Sequence, residues 1–397
     1  MSKNRWPISR KVQSGPGSAS DVAVVPENAV ENHAEVIPVV TPTKRSESDR
    51  LLLIDALRGF AAMAVVLYHI YGNIAEETRQ WIPQIVHGLF QVGFVGVPVF
   101  FVLSGFVISR ATDKDEVTLA YVGRFMLKRA IRLDPPYWCA IAVAICLLVI
   151  KNKLFPQFAQ SLPTGKDIVA HLFYLQDLLQ LSPISAVFWT LCLEIQLYIT
   201  YILLRCSRDY VARHIQLKAD GLFIGMCLAL GILSLAVDST VISLPMKGLF
   251  VAFWHQFLLG VLANWATKDW ITTRQFAACV AVIIAIQLLT APNLNSIAAV
   301  ATASFIVLAA RMGHLHDWLK GAGIQYFGRI SYSLYLLHPT IGWTTVSLGR
   351  HVLGPGLSPI GAILLFLAGI GSSVVAAHML NILVERPSMK LAKRIRH

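Results

Sequence analysis

Charged residues are scarce in this chain, at 14% of its 397 residues, whereas hydrophobic residues make up 55%. A soluble domain needs a largely charged and polar surface, so this composition excludes an ordinary soluble protein. The six cysteines form no Cys-x-x-Cys pair and show no metal-ligand spacing, which gives no basis for a zinc site or a redox motif. The apolar stretches are also too long, and alternate too little, for the strands of a membrane barrel.

The net charge of +12 is the second unusual feature, since 34 Lys and Arg residues stand against 22 Asp and Glu residues. A basic chain could bind nucleic acid, but here the basic residues cluster at the ends of apolar stretches. That distribution is typical of membrane topology signals, in which Lys and Arg remain on the cytoplasmic side. We therefore predict contacts with membrane lipids and no nucleic-acid partner.

Hydropathy predicts about ten membrane-spanning helices, because apolar stretches of roughly 18 to 25 residues recur through most of the chain. A helix of that length crosses a hydrocarbon core of about 30 Å. The predicted spans lie near residues 51–71, 89–109, 136–151, 186–205, 221–237, 248–266, 275–291, 295–311, 324–346 and 358–383. The predicted fold is therefore an all-α polytopic bundle of transmembrane helices.

Three regions are predicted along the chain. Residues 1–47 are rich in Pro, Ser, Val and Glu without helical periodicity, which predicts a disordered tail. Residues 48–390 form the predicted membrane domain, and residues 391–397 form a basic tail. Every second connection between the predicted spans is rich in Lys and Arg, so both tails are predicted to be cytoplasmic. Between the third and fourth spans, the stretch DIVAHLFYLQDLLQ predicts an interfacial or re-entrant helix.

Arg58 and His69 are costly residues inside the first predicted span, because a charge in hydrocarbon costs roughly 2.5 to 3.5 kcal/mol. Eleven residues advance an α-helix by about three turns, so both side chains lie on one face, about 16 Å apart along the axis. Asp55 lies on nearly the same face and can pair with Arg58. This spacing suits a long anionic ligand with its charged end at Arg58 and its reactive end at His69. Snorkelling of Arg58 and a structural hydrogen bond from His69 would explain the same pattern.

Glu194 stands in the middle of the fourth predicted span, in FWTLCLEIQLYI, five residues after Trp189. A carboxylate in that position must be protonated or paired. Such a group can serve acid-base chemistry or set the tautomer of an imidazole. A neutral Glu194 that only joins two helices by a hydrogen bond is the structural alternative.

The stretch RFMLKRAIRLDPPYW predicts a basic helix on the cytoplasmic side, with four residues on one face: Arg124, Lys128, Arg129 and Arg132. Proline lacks the backbone N–H that a helix needs, so this face is predicted to end at Pro135 and Pro136. Arginine side chains suit phosphate groups, and Arg110 lies at the cytoplasmic edge of the second span. The basic face could instead bind anionic lipid head groups.

The ninth predicted span, in YFGRISYSLYLLHPT, contains His338 directly before Pro339. A proline inside a helix removes one hydrogen bond, so the span is predicted to break or bend there and to open a polar pocket. His338 is predicted to support the site rather than to catalyse, because a single membrane histidine is more often an interhelical hydrogen-bond partner.

Together, these motifs resemble the acyltransferase-3 family of integral membrane acyltransferases. The resemblance is carried, in order, by IDALRGFAAMAVVLYH, GVPVFFVLSGFVIS, RFMLKRAIRLDPPYW, FWTLCLEIQLY, YFGRISYSLYLLHPT and VERP, over about residues 50–390. It implies a ten-helix bundle that uses a cytoplasmic acyl-CoA, usually acetyl-CoA, to acylate a hydroxyl group. Members modify extracellular polysaccharides, lipopolysaccharide O-antigens, Nod factors and some antibiotics.

The resemblance also implies roles for individual residues. Arg58 and His69 match the family's Arg-x10-His pair, in which the histidine is regarded as catalytic. Glu194 matches the intramembrane glutamate of the family's Trp-x-Leu-x-x-Glu motif, and we predict that it orients His69 or relays protons to it. The residues predicted to bind the CoA phosphates are Arg58, Arg110, Arg124, Arg129 and Arg132. The predicted supporting residues are Asp55, Tyr137, Trp189, Tyr198 and His338.

The predicted function is therefore an O-acetyltransferase of the bacterial inner membrane, with acetyl-CoA as donor, no metal, and a glycan or lipid-linked glycan as acceptor. Direct attack by the acceptor and a transient acyl group on His69 are both open routes. A proton-coupled transporter or flippase would also place charges in the membrane, but the sequence shows no inverted repeat. A structural subunit of a polysaccharide assembly complex would leave the cost of the buried charges unexplained.

Overall fold

The computed structural model describes residues 51–395, with the exception of 80, 114–115, 215–218, 245, 247, 291, 355–356 and the side chain at 77. The predicted disordered tail at residues 1–47 lies outside the described residues. The last two residues of the predicted basic tail, 396 and 397, lie outside them as well. The described residues belong to one compact unit that begins at Leu51.

Helices make up most of the described residues, and no strand occurs among them. In chain order the α-helices are α1 (Leu52–Gly72), α2 (Ala75–Thr78), α3 (Gln84–Gln91), α4 (Gly96–Ala111), α5 (Leu119–Leu154), α6 (Gly165–Leu172), α7 (Phe188–His214), α8 (Ala219–Asp238), α9 (Trp254–Thr267), α10 (Thr273–Leu289), α11 (Leu294–Arg311), α12 (Ala322–Leu353), α13 (Pro359–Leu380) and α14 (Arg386–Ala392). Three-residue to four-residue 3-10 turns lie at Gly93–Val95, Pro156–Phe158 and Phe250–Phe253. A π-helix, Asn381–Glu385, joins α13 to α14.

Each of the ten predicted spans overlaps one long helix of this series, from α1 to α13. Within the described part of the chain, six helical stretches are long and apolar enough to cross a membrane: Leu52–Gly72, Gln84–Ala111, Leu119–Leu154, Ala219–Asp238, Leu294–Arg311 and Pro359–Ala392. These stretches confirm an all-α, multi-pass membrane protein. The total of ten crossings and the cytoplasmic position of both termini stay predictions.

Helix α5 runs without a break through Pro135 and Pro136, so these prolines do not end the helix, although its basic face ends at Arg132, just before them. A neighbouring helix supports α5 at this point, because the Tyr332 hydroxyl donates to Leu133 O at 2.9 Å. Pro135 and Pro136 leave the carbonyls of Ile131 and Arg132 without their helical N–H partners. The Tyr332 bond joins α12 to α5 beside these carbonyls and does not replace the missing bonds. Helix α5 thus joins its basic first half to its apolar second half without a break.

Helix α12 is likewise continuous across Pro339, so the predicted break at that proline does not occur. Pro339 leaves the Tyr335 carbonyl without its helical N–H partner. The His338 imidazole takes that place, since it interacts with the Tyr335 carbonyl and its Nδ1 lies 3.1 Å from Leu334 O. The helix stays intact because a side chain supplies the missing donor.

The helix predicted in DIVAHLFYLQDLLQ is shorter than expected, because α6 ends at Leu172. The residues that follow form turns, in which Tyr174 and Gln180 have φ angles of 58° and 53°. Residues with a side chain rarely adopt such angles, and these angles interrupt a helix. Residues 173–187 therefore form an irregular segment, which we call the α6–α7 loop. It lies against α5, where the Tyr174 ring stacks on Tyr137.

The crossing of α4 and α9 is so close that only glycine fits at two positions. A Cβ at Gly105 would lie 2.0 Å from Phe257 O, and a Cβ at Gly260 would lie 1.9 Å from Val102 O. Small residues allow two helix backbones to approach in this way inside a membrane. The crossing holds α4 and α9 in the middle of the bundle.

The crossing of α1 and α12 is also close enough that only glycine fits at two positions. A Cβ at Gly59 would lie 2.7 Å from Gly328 N, and a Cβ at Gly328 would lie 2.3 Å from Asp55 O. The two helices are therefore in backbone contact near the start of α1. This contact sets the register that brings His69 of α1 beside His338 of α12.

We expect Gly260→Ala to destabilise the protein by about 1–3 kcal/mol, because the added methyl group would overlap a backbone oxygen at the α4–α9 crossing. The thermal unfolding midpoint of the purified protein in detergent would measure this. Gly225→Ala is the matched control, since Gly225 also lies in a helix and nothing lies within 4 Å of a Cβ there. Equal midpoints for the two variants would contradict the close crossing.

Candidate active site

The imidazole groups of His69 and His338 meet where α1 and α12 lie side by side. His69 Nδ1 is 3.1 Å from His338 Nε2 and 3.1 Å from Val65 O, one turn earlier in α1. His338 is fully buried, whereas His69 is only partly buried. Of the two imidazoles, His69 is therefore the one that a bound substrate can reach.

The hydrogen bonds assign the protons of the two neutral imidazoles. The Leu334 carbonyl can only accept, so His338 Nδ1 carries a proton and His338 Nε2 is an acceptor. Both partners of His69 Nδ1 are then acceptors, so this nitrogen carries the proton of His69. His69 Nε2 keeps a free lone pair, and no hydrogen bond reaches it from the described part of the chain. An imidazole in this state is prepared to accept a proton.

The end of α1 that carries His69 is fixed from two directions. Trp343 Nε1 donates to His69 O at 3.0 Å, and Asn73 Nδ2 donates to the same oxygen at 2.9 Å. The rings of Tyr68 and Trp343 lie 5.1 Å and 5.8 Å from the His69 ring, measured between centroids. Aromatic side chains therefore surround the imidazole, and α12 holds the backbone that carries it.

Nearer the start of α1, Arg58, Arg129 and Arg132 form a group of cations that we call the arginine cluster. Arg132 lies close enough to Arg58 and Arg129 to be repelled by both, and close enough to Glu385 to be attracted. Glu385 is buried in the π-helix and accepts a hydrogen bond from Ser333 Oγ at 2.6 Å. Arg132 is thus close to two other guanidinium groups and to one carboxylate, which leaves an excess of positive charge that suits an anionic ligand.

Arg129 is held in place by an aromatic ring. Its Cζ lies 3.8 Å from the centre of the Tyr198 ring, a cation–π contact. Its Nε is buried and has no hydrogen-bond partner in the part of the chain that the structure describes. Tyr198 is fully buried, and its hydroxyl donates to Glu194 Oε1, as does Ser104 Oγ at 2.8 Å. A buried N–H without a partner is unfavourable, so an anionic ligand that accepts from Arg129 would bind with a gain in free energy.

Glu194 consequently belongs to the arginine side of the site. Its hydrogen bonds join Ser104 and Tyr198, whereas His69 Nδ1 is engaged by a backbone carbonyl and by His338. In this structure, groups other than Glu194 therefore hold the His69 imidazole in its tautomer. The Glu194 carboxylate instead fixes the Tyr198 ring, which supports the Arg129 guanidinium group.

Three other predicted site residues lie apart from these groups. Arg124 is exposed on α5, and Arg110 lies at the end of α4, where it acts electrostatically on Asp113. Burial raises the pKa of Asp113 above its ordinary value. Trp189 contacts Phe253, with ring centroids 5.7 Å apart. Of the residues predicted to bind the CoA phosphates, the structure therefore brings together the three of the arginine cluster.

Asp55 and Tyr137 belong to the framework of the site. The Asp55 carbonyl lies at the close crossing of α1 with Gly328. Tyr137 is fully buried in the same hydrophobic cluster as Val65, whose carbonyl holds His69. Tyr137 thus belongs to the hydrophobic cluster that includes the residue one turn before the accessible imidazole.

Sequence reasoning did not identify Val65, Trp343 or Glu385 as parts of the site. The Val65 carbonyl carries no signal, because every helical residue has the same group. Trp343 acts through a backbone contact that only the fold creates. Glu385 did have a signal, since the VERP motif places a carboxylate after a long apolar stretch.

Comparison with known proteins gives one family. A family model described as an acyltransferase domain, of the acyltransferase-3 family, matches residues 51–380. Acyltransferase MdmB of Streptomyces mycarofaciens is 26% identical over 378 residues, which cover 87% of this chain and 94% of MdmB. A putative acetyltransferase of Acidianus two-tailed virus is 30% identical over 146 residues, 37% of this chain and 38% of that protein. The peptidoglycan O-acetyltransferase OatA of Listeria monocytogenes is 31% identical over 127 residues, 31% of this chain and 17% of OatA.

No solved structure matches this chain. The family model nevertheless covers the helices from α1 to α13, and with them both histidines and the arginine cluster. Over this length the likeness concerns the whole helical bundle, and the match to MdmB extends over nearly all of both proteins. The chain therefore belongs to the acyltransferase-3 family of integral membrane acyltransferases.

Proposed function

We propose that this acyltransferase is an O-acetyltransferase of the bacterial inner membrane, which transfers an acetyl group from cytoplasmic acetyl-CoA to a hydroxyl of an envelope or exported glycan. The observation that carries the proposal is a proton-accepting nitrogen, His69 Nε2, on the same helix as a member of the arginine cluster, Arg58. About 16 Å separates the two residues along the helix axis. A long donor with phosphates at one end and a thioester at the other suits this spacing.

The arginine cluster binds the phosphates of the donor in this scheme. Guanidinium groups make strong, charge-assisted hydrogen bonds to phosphate oxygens. The unpartnered Nε of Arg129 gains an acceptor on binding, and the repulsion among the three arginines is relieved by the negative charge. Glu194 acts on the donor side as well, because it fixes the Tyr198 ring that supports Arg129.

The acyl transfer itself takes place at His69. His69 Nε2 takes the proton from the acceptor hydroxyl while the hydroxyl oxygen attacks the thioester carbonyl carbon. The C–S bond then breaks, the acetyl group stays on the acceptor oxygen, and the CoA sulfur receives the proton from His69. Val65 O and His338 Nε2 both accept from Nδ1, so they stabilise the imidazolium between these two steps.

The choice of acetyl group and glycan acceptor is supported by relatives of this chain. The Listeria relative is named as an O-acetyltransferase of peptidoglycan, which is a glycan of the cell envelope. The viral relative is named as a putative acetyltransferase. The long apolar helices support a reaction at a membrane, where a cytoplasmic donor and an exported acceptor can meet.

We expect His69→Ala to lower acetyl transfer by about a hundredfold or more, because the proton acceptor is lost. The measurement is transfer of radiolabelled acetyl groups from acetyl-CoA by membranes that contain equal amounts of each variant. His214→Ala is the control, since it removes an exposed imidazole at the end of α7. Normal transfer by His69→Ala would refute the proposed chemistry.

His338→Leu should lower kcat by about tenfold, the effect of one lost hydrogen bond, because the acceptor that fixes the His69 tautomer is removed. Donor affinity should be unchanged, because His338 does not belong to the arginine cluster. His338→Gln should retain more activity, since its amide oxygen can still accept from His69 Nδ1. Steady-state kinetics of the three proteins would check this, and equal kcat values for the two variants would argue against the tautomer assignment.

Arg129→Gln should raise the Kd for acetyl-CoA by about tenfold, because a charge-assisted hydrogen bond to a phosphate is lost. Arg124→Gln is the matched control on the same helix, because Arg124 is exposed and lies apart from the arginine cluster. Isothermal titration of both variants in detergent would measure the two Kd values. If both substitutions weakened binding equally, a general electrostatic effect would replace the proposed arginine cluster.

A further inference from the structure

Four buried polar atoms at the α6–α7 loop have no hydrogen-bond partner among the described residues: Tyr137 OH, Gln176 Oε1, Asp177 Oδ2 and Ser185 Oγ. Three of these residues belong to the loop, and Tyr137 lies against it on α5. We call the four side chains the loop site. A buried polar atom without a partner costs about 1–3 kcal/mol, so four of them in one place need a physical explanation.

The four side chains gather around Phe188, the first residue of α7. The Tyr137 ring meets the Phe188 ring edge-on, with centroids 5.0 Å apart. Gln176 Nε2 donates to Phe188 O at 3.2 Å, and Phe188 N donates to Ser185 O at 3.3 Å. Asp177 lies close enough to Tyr137 to act on it electrostatically. The unpartnered atoms therefore share one small region of the protein.

The loop is firmly held, so the missing hydrogen bonds do not result from a loose segment. His171 Nε2 accepts from Ile184 N at 3.1 Å and ties the two ends of the loop together. The Tyr174 hydroxyl donates to Asp134 Oδ1 at 2.8 Å, although Tyr174 has an unfavourable positive φ of 58°. Backbone strain of this kind persists only where the surroundings enforce it, and it is concentrated at functional sites.

The chemistry of the loop site matches hydroxyl groups. Its unpartnered atoms are two acceptors, on Gln176 and Asp177, and two hydroxyls, on Tyr137 and Ser185; none of them is a cation. Burial raises the pKa of Asp177, as expected for a carboxyl group that water does not hydrate well. The stacked rings of Tyr137 and Tyr174, with centroids 4.6 Å apart, lie beside these polar atoms. Aromatic rings with a few polar groups between them are typical of a site for a small polar ligand.

The loop site borders the same hydrophobic cluster as Val65, which holds His69. Tyr137 and Phe188 belong to the same hydrophobic cluster as Val65. The carbonyl of Val65 in turn holds the imidazole of His69. The loop site and the residue that holds the proposed proton acceptor therefore border one hydrophobic cluster.

We propose that the loop site binds sugar hydroxyls of the acceptor and thereby presents one hydroxyl to His69. This inference rests on the proposed acetyl transfer and extends it by naming the groups that recognise the acceptor. Ligand hydroxyls donate to Gln176 Oε1 and Asp177 Oδ2, and they complete the hydrogen bonds of Tyr137 and Ser185. Each unpartnered atom thus gains a partner when the acceptor binds.

The test uses Tyr137→Phe and Ser185→Ala, which remove only the unpartnered hydroxyls. Each variant is purified in detergent and mixed with radiolabelled acetyl-CoA and the envelope fraction of the source organism from which this gene has been deleted. We expect the half-saturating amount of envelope fraction to rise about three- to tenfold, the effect of one lost hydrogen bond. The Kd for acetyl-CoA should not change. Ser182→Ala is the matched control, because Ser182 is an exposed serine of the same loop.

Thermal unfolding separates recognition from a structural role. Removal of an unpartnered hydroxyl costs the empty protein no hydrogen bond, so the unfolding midpoints of both variants should stay equal to wild type or rise. Normal saturation by the envelope fraction would overturn the inference. Lower midpoints together with weaker acetyl-CoA binding would also overturn it, since bound waters with a structural role would then occupy the loop site. If the wild-type protein transfers no acetyl group to the envelope fraction, the proposed function itself is wrong, and the loop site loses its role as an acceptor site.

Discussion

A polar group inside a hydrocarbon layer must find its partner within the protein, and the site depends on this constraint. Pro339 cannot bond to the Tyr335 carbonyl, and the His338 imidazole acts as the substitute donor. That use of Nδ1 turns His338 Nε2 into an acceptor for His69. His69 must then carry its proton on Nδ1, which frees Nε2 for a substrate. The backbone N–H that Pro339 lacks thus influences, through His338, which nitrogen of the His69 imidazole carries the proton.

Two of the exceptions to this constraint, among the described residues, are places where a ligand can bind. The buried network of Asp238, His255 and Ser296 has the residue types of a hydrolase triad, but its members bond to one another and to neighbouring side chains. We assign it no chemistry, because nothing in it requires a ligand. The Nε of Arg129 and the loop site differ, since their buried polar atoms have no partner. The Nε of Arg129 suits an anion and the loop site suits hydroxyl groups, as expected for the donor and the acceptor of an acyl transfer.

Much of the fold could be predicted from the sequence, because in a membrane each helix must be apolar and long enough to cross. All ten predicted apolar segments coincide with helices. The predictions were wrong where contacts elsewhere in the fold override a rule that considers one helix alone. Proline removes a hydrogen bond in any helix, but α12 remains intact at Pro339, where the His338 imidazole interacts with the carbonyl that loses its partner. Helix α5 likewise continues through Pro135 and Pro136. A rule based on the chain alone cannot take such partners into account.

The sequence by itself determined the helices, the excess of basic residues, and the presence of Arg58 and His69 on one face of α1, since these follow from composition and helical period. Only the tertiary structure decided which groups meet. Glycine contacts between α1 and α12 bring His338 to His69, and the α7 register places Tyr198 under Arg129. These pairings depend on where separate helices cross, and crossing positions depend on side-chain volume and shape across the whole bundle, which no local pattern records.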